Sequence, residues 1–404
     1  MFEINKNVIL VKGAVNAAIY DFNTKNVYAI NEEAFNIINK VAINKNTPSS
    51  EIEKNYINDL LLVALLSKNF IPKTYIPKNN NDAPQLNFAW LELTGGCNLR
   101  CLHCYEGTEH VCSSEELSTG QWKNIIRDLK KNGSTKTQLT GGECCLRKDF
   151  KELIKYASEQ YFKEITVFTN ASLLTTELIN LFSQKNIKVR FSLYGHTGQV
   201  HDSITQVAGS FNKTIENVKK MQSCNIFVTP AIVIMKQNQE FIDEIIAFVK
   251  RMGLKYTGYD VIRNVYGGRQ SSYTPTNERI LNSKKRKKPF FTITKERFEK
   301  ALHHNTCWYE KFVIMPNGKI APCIFERTMI LGDLTKQTVA EVLNSNQLKY
   351  AWDYDFSKIN YCKDCEFRFA CKDCRPLGLS TNNCMNEKNP RCTYNPYTGK
   401  WGCL

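Results

Sequence analysis

A chain of 404 residues with 42% apolar and 23% charged content has the make-up of a folded protein of two or three domains. Its longest apolar run, Leu60 to Leu66 ("LLLVALL"), is seven residues, far short of the ~18–20 that a membrane span needs. The start, "MFEINKNVILVKG", has no basic start, apolar stretch or cleavage site, so a secreted or membrane-anchored protein is not expected and a cytoplasmic one is. The formal net charge of +15 favours an acidic partner such as nucleic acid, anionic lipid or an acidic peptide; the alternative is a solvated Lys-rich surface. In a reducing compartment the sixteen cysteines point to metal or redox chemistry rather than to a disulfide framework.

The first elements are strand-like: "NVILVKG" (7–13), "AAIYDF" (17–22) and "NVYAIN" (26–31). Asn31 is placed to cap the helix "EEAFNIINKV", whose acidic first turn suits the helix dipole. A second helix is expected within "SSEIEKNYINDLLLVALLSKN", and "FIPKTYIP" is expected to be extended. Strands followed by helices make residues 1–78 a small α+β module. The polar, proline-bounded "PKNNNDAPQ" (77–85) reads as a linker.

A repeat follows. Strand-like runs occur at 88–94, 136–142, 164–170, 188–195, 227–235 and 256–263, and each of the first five precedes a helical stretch. In one of these stretches Ser118 and Gln121 fit a capping box. In another, Ile242, Ile245, Ile246 and Val249 line one face at helical spacing. The alternation predicts a parallel sheet with right-handed crossovers, a partial (β/α)6 TIM-like barrel over 86–275. Functional residues of such barrels gather at the C-terminal ends of strands. There the sequence puts Cys97, Cys101 and Cys104, then Gly141, Gly142 and Glu143, then Thr169 and Asn170, then Ser192 and Tyr194.

Beyond the repeat, "SKKRKKP" reads as a solvated basic loop or an acidic-partner contact. The tail, 291–404, holds nine of the sixteen cysteines and is expected to form a third unit.

Three thiols in a C-x3-C-x2-C loop do not close a structural zinc site, which wants four ligands. They do fit a [4Fe–4S] cluster held at three corners, its fourth iron open to a substrate or cofactor. On "CNLRCLHCY" after the first strand, the chain resembles the radical S-adenosylmethionine (radical SAM) superfamily. The resemblance implies that the open iron chelates SAM, and that one electron cleaves SAM to a 5′-deoxyadenosyl radical that removes a hydrogen atom from an unactivated carbon. "TGGE" (140–143) resembles the family's SAM-binding glycine motif, implying roles for Gly141, Gly142 and Glu143 around the methionine end. "FTNAS" and "FSLYG" imply Asn170 and Ser192 near the ribose and carboxylate, or else simple strand-end capping, and His103 stands where the backbone meets adenine. Where the family usually has proline after GGE, this chain has Cys144 and then Cys145, which are hydrogen-atom donors or small buried residues. No arginine partner for SAM is evident in "HDSITQVAGSF".

The tail reads C-x10-G-x4-C (Cys307, Gly318, Cys323), then C-x2-C-x5-C-x2-C (Cys362, Cys365, Cys371, Cys374), then Cys384, Cys392 and Cys403. This is similar to the SPASM extension of radical SAM peptide-modifying enzymes, with one spacing in the quartet a residue short. The resemblance implies two auxiliary [4Fe–4S] clusters, three in all. Auxiliary cluster I takes Cys307, Cys323 and Cys374, with its fourth position open or filled by His303 or His304. Auxiliary cluster II takes Cys362, Cys365, Cys371 and one late cysteine, Cys392 rather than Cys384. Cys112, Cys224 and Cys403 have no metal role. The alternative for the tail is a pair of zinc ribbons.

The resemblance implies a peptide maturase acting on a ribosomally made precursor with a leader, fed by a flavodoxin- or ferredoxin-like electron donor. Residues 1–78 resemble its winged-helix-like peptide-recognition element, or else cap the barrel. The expected product is an intramolecular crosslink, a thioether or a carbon-centred bond. Epimerisation or sulfatase-maturase-like oxidation is the enzymatic alternative, and a zinc-ribbon nucleic-acid-binding protein the non-enzymatic one.

Overall fold

The structure, a computed structural model, describes residues 2–44, 46–63, 65–68, 85–105, 115–263, 271–285 and 291–402. The expected extended run 70–77, most of the 77–85 linker, the end of the basic loop, Cys112 and Cys403 lie outside these residues.

In the N-terminal part, β1 (Phe2–Ile4) pairs with β5 (Leu66–Lys68), and β2 (Val8–Lys12), β3 (Ala17–Asp21) and β4 (Asn26–Ile30) form an antiparallel meander. The helices are α1 (Glu32–Ile38) and α2 (Glu51–Leu62). Asn31 caps α1 as the sequence predicts, accepting from the Ala34 amide at 2.9 Å. The apolar run Leu60–Leu66 does not stay helical. The helix stops at Leu62, and Leu66 turns into β5 because β1 offers it a strand partner. Both faces of the meander are buried, at the expected period of two. Val8 and Ile19 point to a core with Ile38, Val41, Ile57 and Leu60 from the helical side. Val11, Ala18, Tyr20 and Val27 point to a second core with Ile293, Phe298, Phe367 and Tyr394 from the tail.

The repeat forms as predicted. Its strands are β6 (Phe88–Glu92), β7 (Lys136–Thr140), β8 (Glu164–Thr169), β9 (Lys188–Leu193), β10 (Val228–Ile234) and β11 (Tyr259–Val261). Between them run α3 (Thr119–Lys131), α4 (Phe150–Glu159), α5 (Thr176–Gln184), α6 (Gly198–Thr205), α7 (Ser210–Ser223) and α8 (Ile242–Arg251). The Ser118–Gln121 capping box opens α3. The six strands are parallel neighbours in sequence order. The last is shorter than the run 256–263 predicts.

After α9 (Glu278–Lys284) and α10 (Lys295–His303), the strands β12 (Lys311–Ile314), β13 (Lys319–Ala321) and β14 (Gly332–Asp333) join the same sheet on the far side of β6. Among the described residues nine strands make one sheet in the order β11-β10-β9-β8-β7-β6-β12-β13-β14. It is an open, partial barrel. Its curl is visible at the strand ends. Tyr105, beyond β6, meets the Phe325 ring at 5.7 Å, and Phe325 lies under the Arg263 guanidinium, just past β11, at 4.4 Å. The chain continues through α11 (Val339–Leu343), α12 (Asn346–Trp352) and α13 (Arg375–Asn382).

By contacts the chain forms two units, one of residues 1–81, 285–309 and 352–404 and one of 82–284 and 310–351. The first joins the N-terminal strands to the cysteine-rich tail. Tyr20 donates to the Glu366 carbonyl at 2.8 Å, and the Ala14 amide donates to the Asp364 carbonyl at 2.8 Å. The second holds the barrel. No helix among the described residues is long and apolar enough to cross a membrane.

Candidate functional site

The rim at the C-terminal ends of β6 to β9 gathers the polar residues that the strand register predicts. The run into the cysteine loop is fixed first. Glu116 accepts from the Gly95 amide and the Thr94 hydroxyl, both at 2.9 Å, and the Thr94 hydroxyl accepts from the Gly96 amide at 3.0 Å. Arg147 donates to the Leu93 carbonyl at 2.9 Å and is itself held by Asp149 at 2.7 Å. The loop then lies along the end of α6, where the Arg100 and Leu102 amides donate to the carbonyls of Thr205 and Ile204. The stretch "HDSITQVAGSF", where no arginine partner is found, therefore has a different visible role. Its backbone holds the cysteine loop, and Asp202 caps α7 through Gly209 and Phe211 at 2.7 and 2.8 Å.

Cys97, Cys101 and Cys104 face one another closely enough to interact electrostatically. Burial, and then the neighbouring thiols Cys97 and Cys104, push the Cys101 thiol well above its usual range. Tyr194, from the end of β9, is pushed the same way by its own burial and then by Cys101, and it shares hydrogen bonds with Cys101 and Ser192. The His103 and Tyr194 rings meet edge-to-face at 4.6 Å, and burial holds the His103 imidazole down to about 4.

Gly141 and Gly142 serve the chain itself. The Gly142 amide donates to the Thr94 carbonyl and the Glu143 amide to the Gly96 carbonyl, both at 2.8 Å. A Cβ on Gly142 would sit 2.3 Å from the Gly96 carbonyl oxygen, and Gly141 has φ +146. The pair lets the end of β7 dock on the lead-in to the cysteine loop. Gly142→Ala should therefore cost ~1–3 kcal/mol through backbone overpacking. Because the displaced segment carries Cys97, an expected cluster ligand, the variant should also lose iron on that reading; a denaturant midpoint and iron content equal to the wild type would contradict this.

Glu143 is fully buried. Its Oε1 accepts from Thr169 at 2.7 Å and from the Cys145 amide at 3.1 Å, and its Oε2 accepts from the Asn170 amide at 2.7 Å. The Asn170 side chain turns to the cysteine loop, donating to Asn98 Oδ1 at 2.9 Å and accepting from Ser172 at 2.7 Å. Asn98 donates to Ser172 at 2.9 Å and closes the triangle. The sequence reading missed Asn98, Glu116 and Arg147; their loop positions carry no periodic signal. Cys144 is buried and donates to Glu143 and to the Phe168 carbonyl, each at 3.7 Å. Cys145 is half-buried, 3.9 Å from the Thr169 hydroxyl.

His201 accepts from the Tyr194 amide at 3.3 Å, and burial holds its imidazole down to about 4. The fold thus favours the neutral form. Between about pH 6.5 and 4 the unfolded chain binds the extra proton, so stability falls as pH drops through that window, by up to ~3 kcal/mol from this group. His201→Asn, which keeps an acceptor near the amide, should flatten the stability–pH slope there; equal slopes for the two proteins would refute the assignment.

In the tail, burial and then Cys371, Asp373 and Cys392 push the Cys362 thiol up, and Cys365 is raised by burial, with Cys371 and Cys362 contributing. These four thiols are one neighbourhood. Cys384 instead donates to Asn386 at 2.7 Å. Asn305 caps the Cys307 turn at 2.9 Å, and the Asp373 amide donates to Thr306 at 3.1 Å, which puts the Cys307 and Cys374 turns side by side. His304 Nδ1 is 2.8 Å from Asp353 and its ring stacks on Tyr309 at 3.7 Å; His303 is exposed. Cys323 lies in the β13 hairpin of the other unit, buried. Cys224 ends α7. Among the described residues only Glu143, Cys144 and Cys145 have donor atoms all within 4.8 Å of one another.

An open α/β barrel with a three-thiol loop on its strand-end rim, followed by a gathered group of tail cysteines, is the arrangement of a radical SAM protein with a cysteine-rich extension. Residues 91–249 match the radical SAM superfamily and residues 306–366 match the SPASM iron-sulfur cluster-binding domain. The chain thus carries a radical SAM domain and a SPASM iron–sulfur cluster-binding domain, and it is an enzyme. It is 28% identical to the antilisterial bacteriocin subtilosin biosynthesis protein AlbA of Bacillus subtilis (strain 168), over 78% of this chain and 73% of that protein. It is 25% identical to the AdoMet-dependent heme synthase of Methanosarcina barkeri, over 78% of this chain and 98% of that protein. Its fold is similar to that of Streptococcus suis SuiB bound to the precursor peptide SuiA, with a TM-score of 0.58 and 16% identity over 98% of this chain and 100% of that one.

Proposed function

We propose that this chain is a peptide maturase that installs a crosslink, a thioether or a carbon-centred bond, in a ribosomally made precursor. The observation that carries the reading is the cysteine loop locked onto a rim of strand-end polar groups, together with a separate thiol quartet in the SPASM extension. The likeness to AlbA, a protein of bacteriocin biosynthesis, supports this reading. When bound, a reduced [4Fe–4S] cluster and SAM supply one electron and a carbon radical able to remove a hydrogen atom. The chain's own residues bind, orient and seal.

In this reading Cys97, Cys101 and Cys104 hold the first cluster. The Oε2 of Glu143, with one protein donor, accepts from the SAM ammonium, and Gly141 and Gly142 keep it in place. Ser192 and Asn170 stand toward the carboxylate and ribose, and His103 and Tyr194 toward adenine. Auxiliary cluster I takes Cys307, Cys323 and Cys374, and auxiliary cluster II takes Cys362, Cys365, Cys371 and Cys392, three clusters in all. The Cys362–Cys392 proximity supports the last choice. Of the two proposed hydrogen donors, Cys145 is favoured, since Cys144 is sealed. The enzyme works in the cytoplasm with a flavodoxin- or ferredoxin-like donor.

Residues 1–78 take the leader as an added strand. Residues 291–293 already occupy the β4 edge at Lys25–Val27, so the β2 edge is the one we assign to the leader. The cleft between α1 and α2 is lined by Glu32, Glu33 and Glu53, so steering of an acidic leader does not come from there.

The test is anaerobic incubation of the reconstituted enzyme with SAM, dithionite and the peptide encoded beside its gene. A crosslink appears as a mass change of about −2 Da, the loss of two hydrogens, with 5′-deoxyadenosine formed. An unchanged mass with solvent deuterium gained, lost in Cys145→Ala, would replace crosslinking by epimerisation. Stimulation by an iron porphyrin precursor and not by peptide would move the reading to the haem synthase's chemistry.

A further inference from the structure

A second polar assembly lies on the barrel rim, apart from the cysteine loop's own hydrogen bonds. Glu92 ends β6 with its side chain fully buried, and Arg327, from the loop after β13, donates to it at 2.5 Å. The Tyr105 hydroxyl donates to the other carboxylate oxygen at 3.4 Å. The Arg327 guanidinium lies 6.0 Å from the Tyr105 ring centre. Tyr105 meets Phe325 edge-on at 5.7 Å, and Phe325 lies 4.4 Å under Arg263, which is paired with Asp260 at 2.5 Å. A row of arginine, tyrosine, phenylalanine and arginine thus crosses from the end of β6 to the end of β11, the first and last strands of the repeat.

Stability does not explain this row. A buried ion pair seldom repays its desolvation and is often no better than an apolar pair of the same size. The Arg327 side chain is a quarter exposed while Glu92 is sealed, so in that pair the donor and not the acceptor faces outward; Arg263 is exposed to the same degree, beside an Asp260 that is open as well. Each arginine carries its own carboxylate, which makes the row neutral. A substrate carboxylate would have to displace a partner already at 2.5 Å. A peptide carbonyl is a neutral acceptor and needs no such exchange, and guanidinium N–H groups serve it well. The two rings supply an apolar platform between the arginines.

We propose that Arg327 and Arg263 are positioning residues that hold the main chain of the peptide substrate across the rim, with one of its side chains against Tyr105 and Phe325. The proposal rests on the peptide-maturase reading. Its role in the reaction is alignment: a misplacement of ~1 Å can cost about a hundredfold in rate.

The experiment compares wild-type, Arg327→Gln and Arg327→Lys holoenzymes with the peptide encoded beside the gene. Iron and sulfide content serve as the check on folding. Arg327→Gln is expected to keep its iron, to raise the peptide KM about tenfold, the loss of one good contact, and to make fewer modified peptides per 5′-deoxyadenosine. Arg327→Lys, which keeps the charge without the planar fork, falls between. Replacing acidic residues of the peptide near the modified position leaves the wild-type KM unchanged. A KM and product ratio equal to the wild type in Arg327→Gln overturns the proposal, as does equal loss of iron in both variants, which would make the pair a structural clasp. If the wild type modifies no peptide at all, the maturase reading falls first and takes this with it.

Discussion

Cys104→Ala, purified and reconstituted without oxygen, is expected to form no measurable 5′-deoxyadenosine from SAM and dithionite. The loop offers three thiolates and no spare. Its conformation is set from outside, by Glu116, Arg147 and the end of α6, so it cannot re-form around two ligands by borrowing another residue. Loss of an outer-shell partner of a metal site costs ~10–100-fold, and loss of a ligand itself should exceed that. The iron count should fall by about four, one cluster's worth, and on the proposed assignment any iron held by the tail cysteines is retained. Asn98→Ala makes the contrasting case. It removes the link between the loop and Asn170 without touching a thiol, so its loss of activity should stay within the outer-shell range. A Cys104→Ala enzyme that still cleaves SAM would end the assignment of the loop.

Arg375→Met should be the most destabilising single change in the tail. Arg375 is fully buried, as is nearly all of the Asp373 side chain, and the two are joined by a forked pair. Arg375 also donates to the Met385 and Glu387 carbonyls. Removing it leaves a buried carboxylate with no counter-ion, at a cost of ~3–5 kcal/mol. That is a large part of the ~5–15 kcal/mol that holds a domain together. On the proposed cluster assignment the damage reaches the auxiliary site, because the Asp373 amide ties the Cys374 turn to the Cys307 turn through Thr306. A urea titration read by tryptophan fluorescence, with iron analysis alongside, checks it. The double variant Arg375→Met, Asp373→Asn should recover part of the loss, since it removes the orphaned charge. A loss of under ~1 kcal/mol in the single variant would show that the pair is solvated.

These two residues were unequally visible in the sequence. The C-x3-C-x2-C spacing singles out Cys104 in one dimension, because ligands of one cluster on one loop must be close in sequence. Arg375 sits unremarked beside a proline. Its importance comes from Met385 and Glu387 folding back over it, a contact that no spacing rule encodes. The strand-end motifs were likewise readable as positions, since β/α alternation fixes which end of each strand carries function. Their partners were not. Gly142 makes room for the Gly96 carbonyl, and Asn170 faces Asn98, because the curl of the sheet sets the end of β7 and β8 against the loop after β6.

The chain's own letters determined the alternating strands and helices, the thiol loop after the first of them and the spaced cysteines of the tail. Each is a local pattern, set by hydrophobic periodicity or by the reach of neighbouring ligands. Only the tertiary structure decided that the N-terminal strands share a core with the tail, that β12 extends the barrel sheet beside β6, and that Glu92 meets Arg327 from 235 residues away. Those outcomes depend on which buried faces find one another once the sheet twists, and the free energy of such long-range packing is not written in any short stretch of sequence.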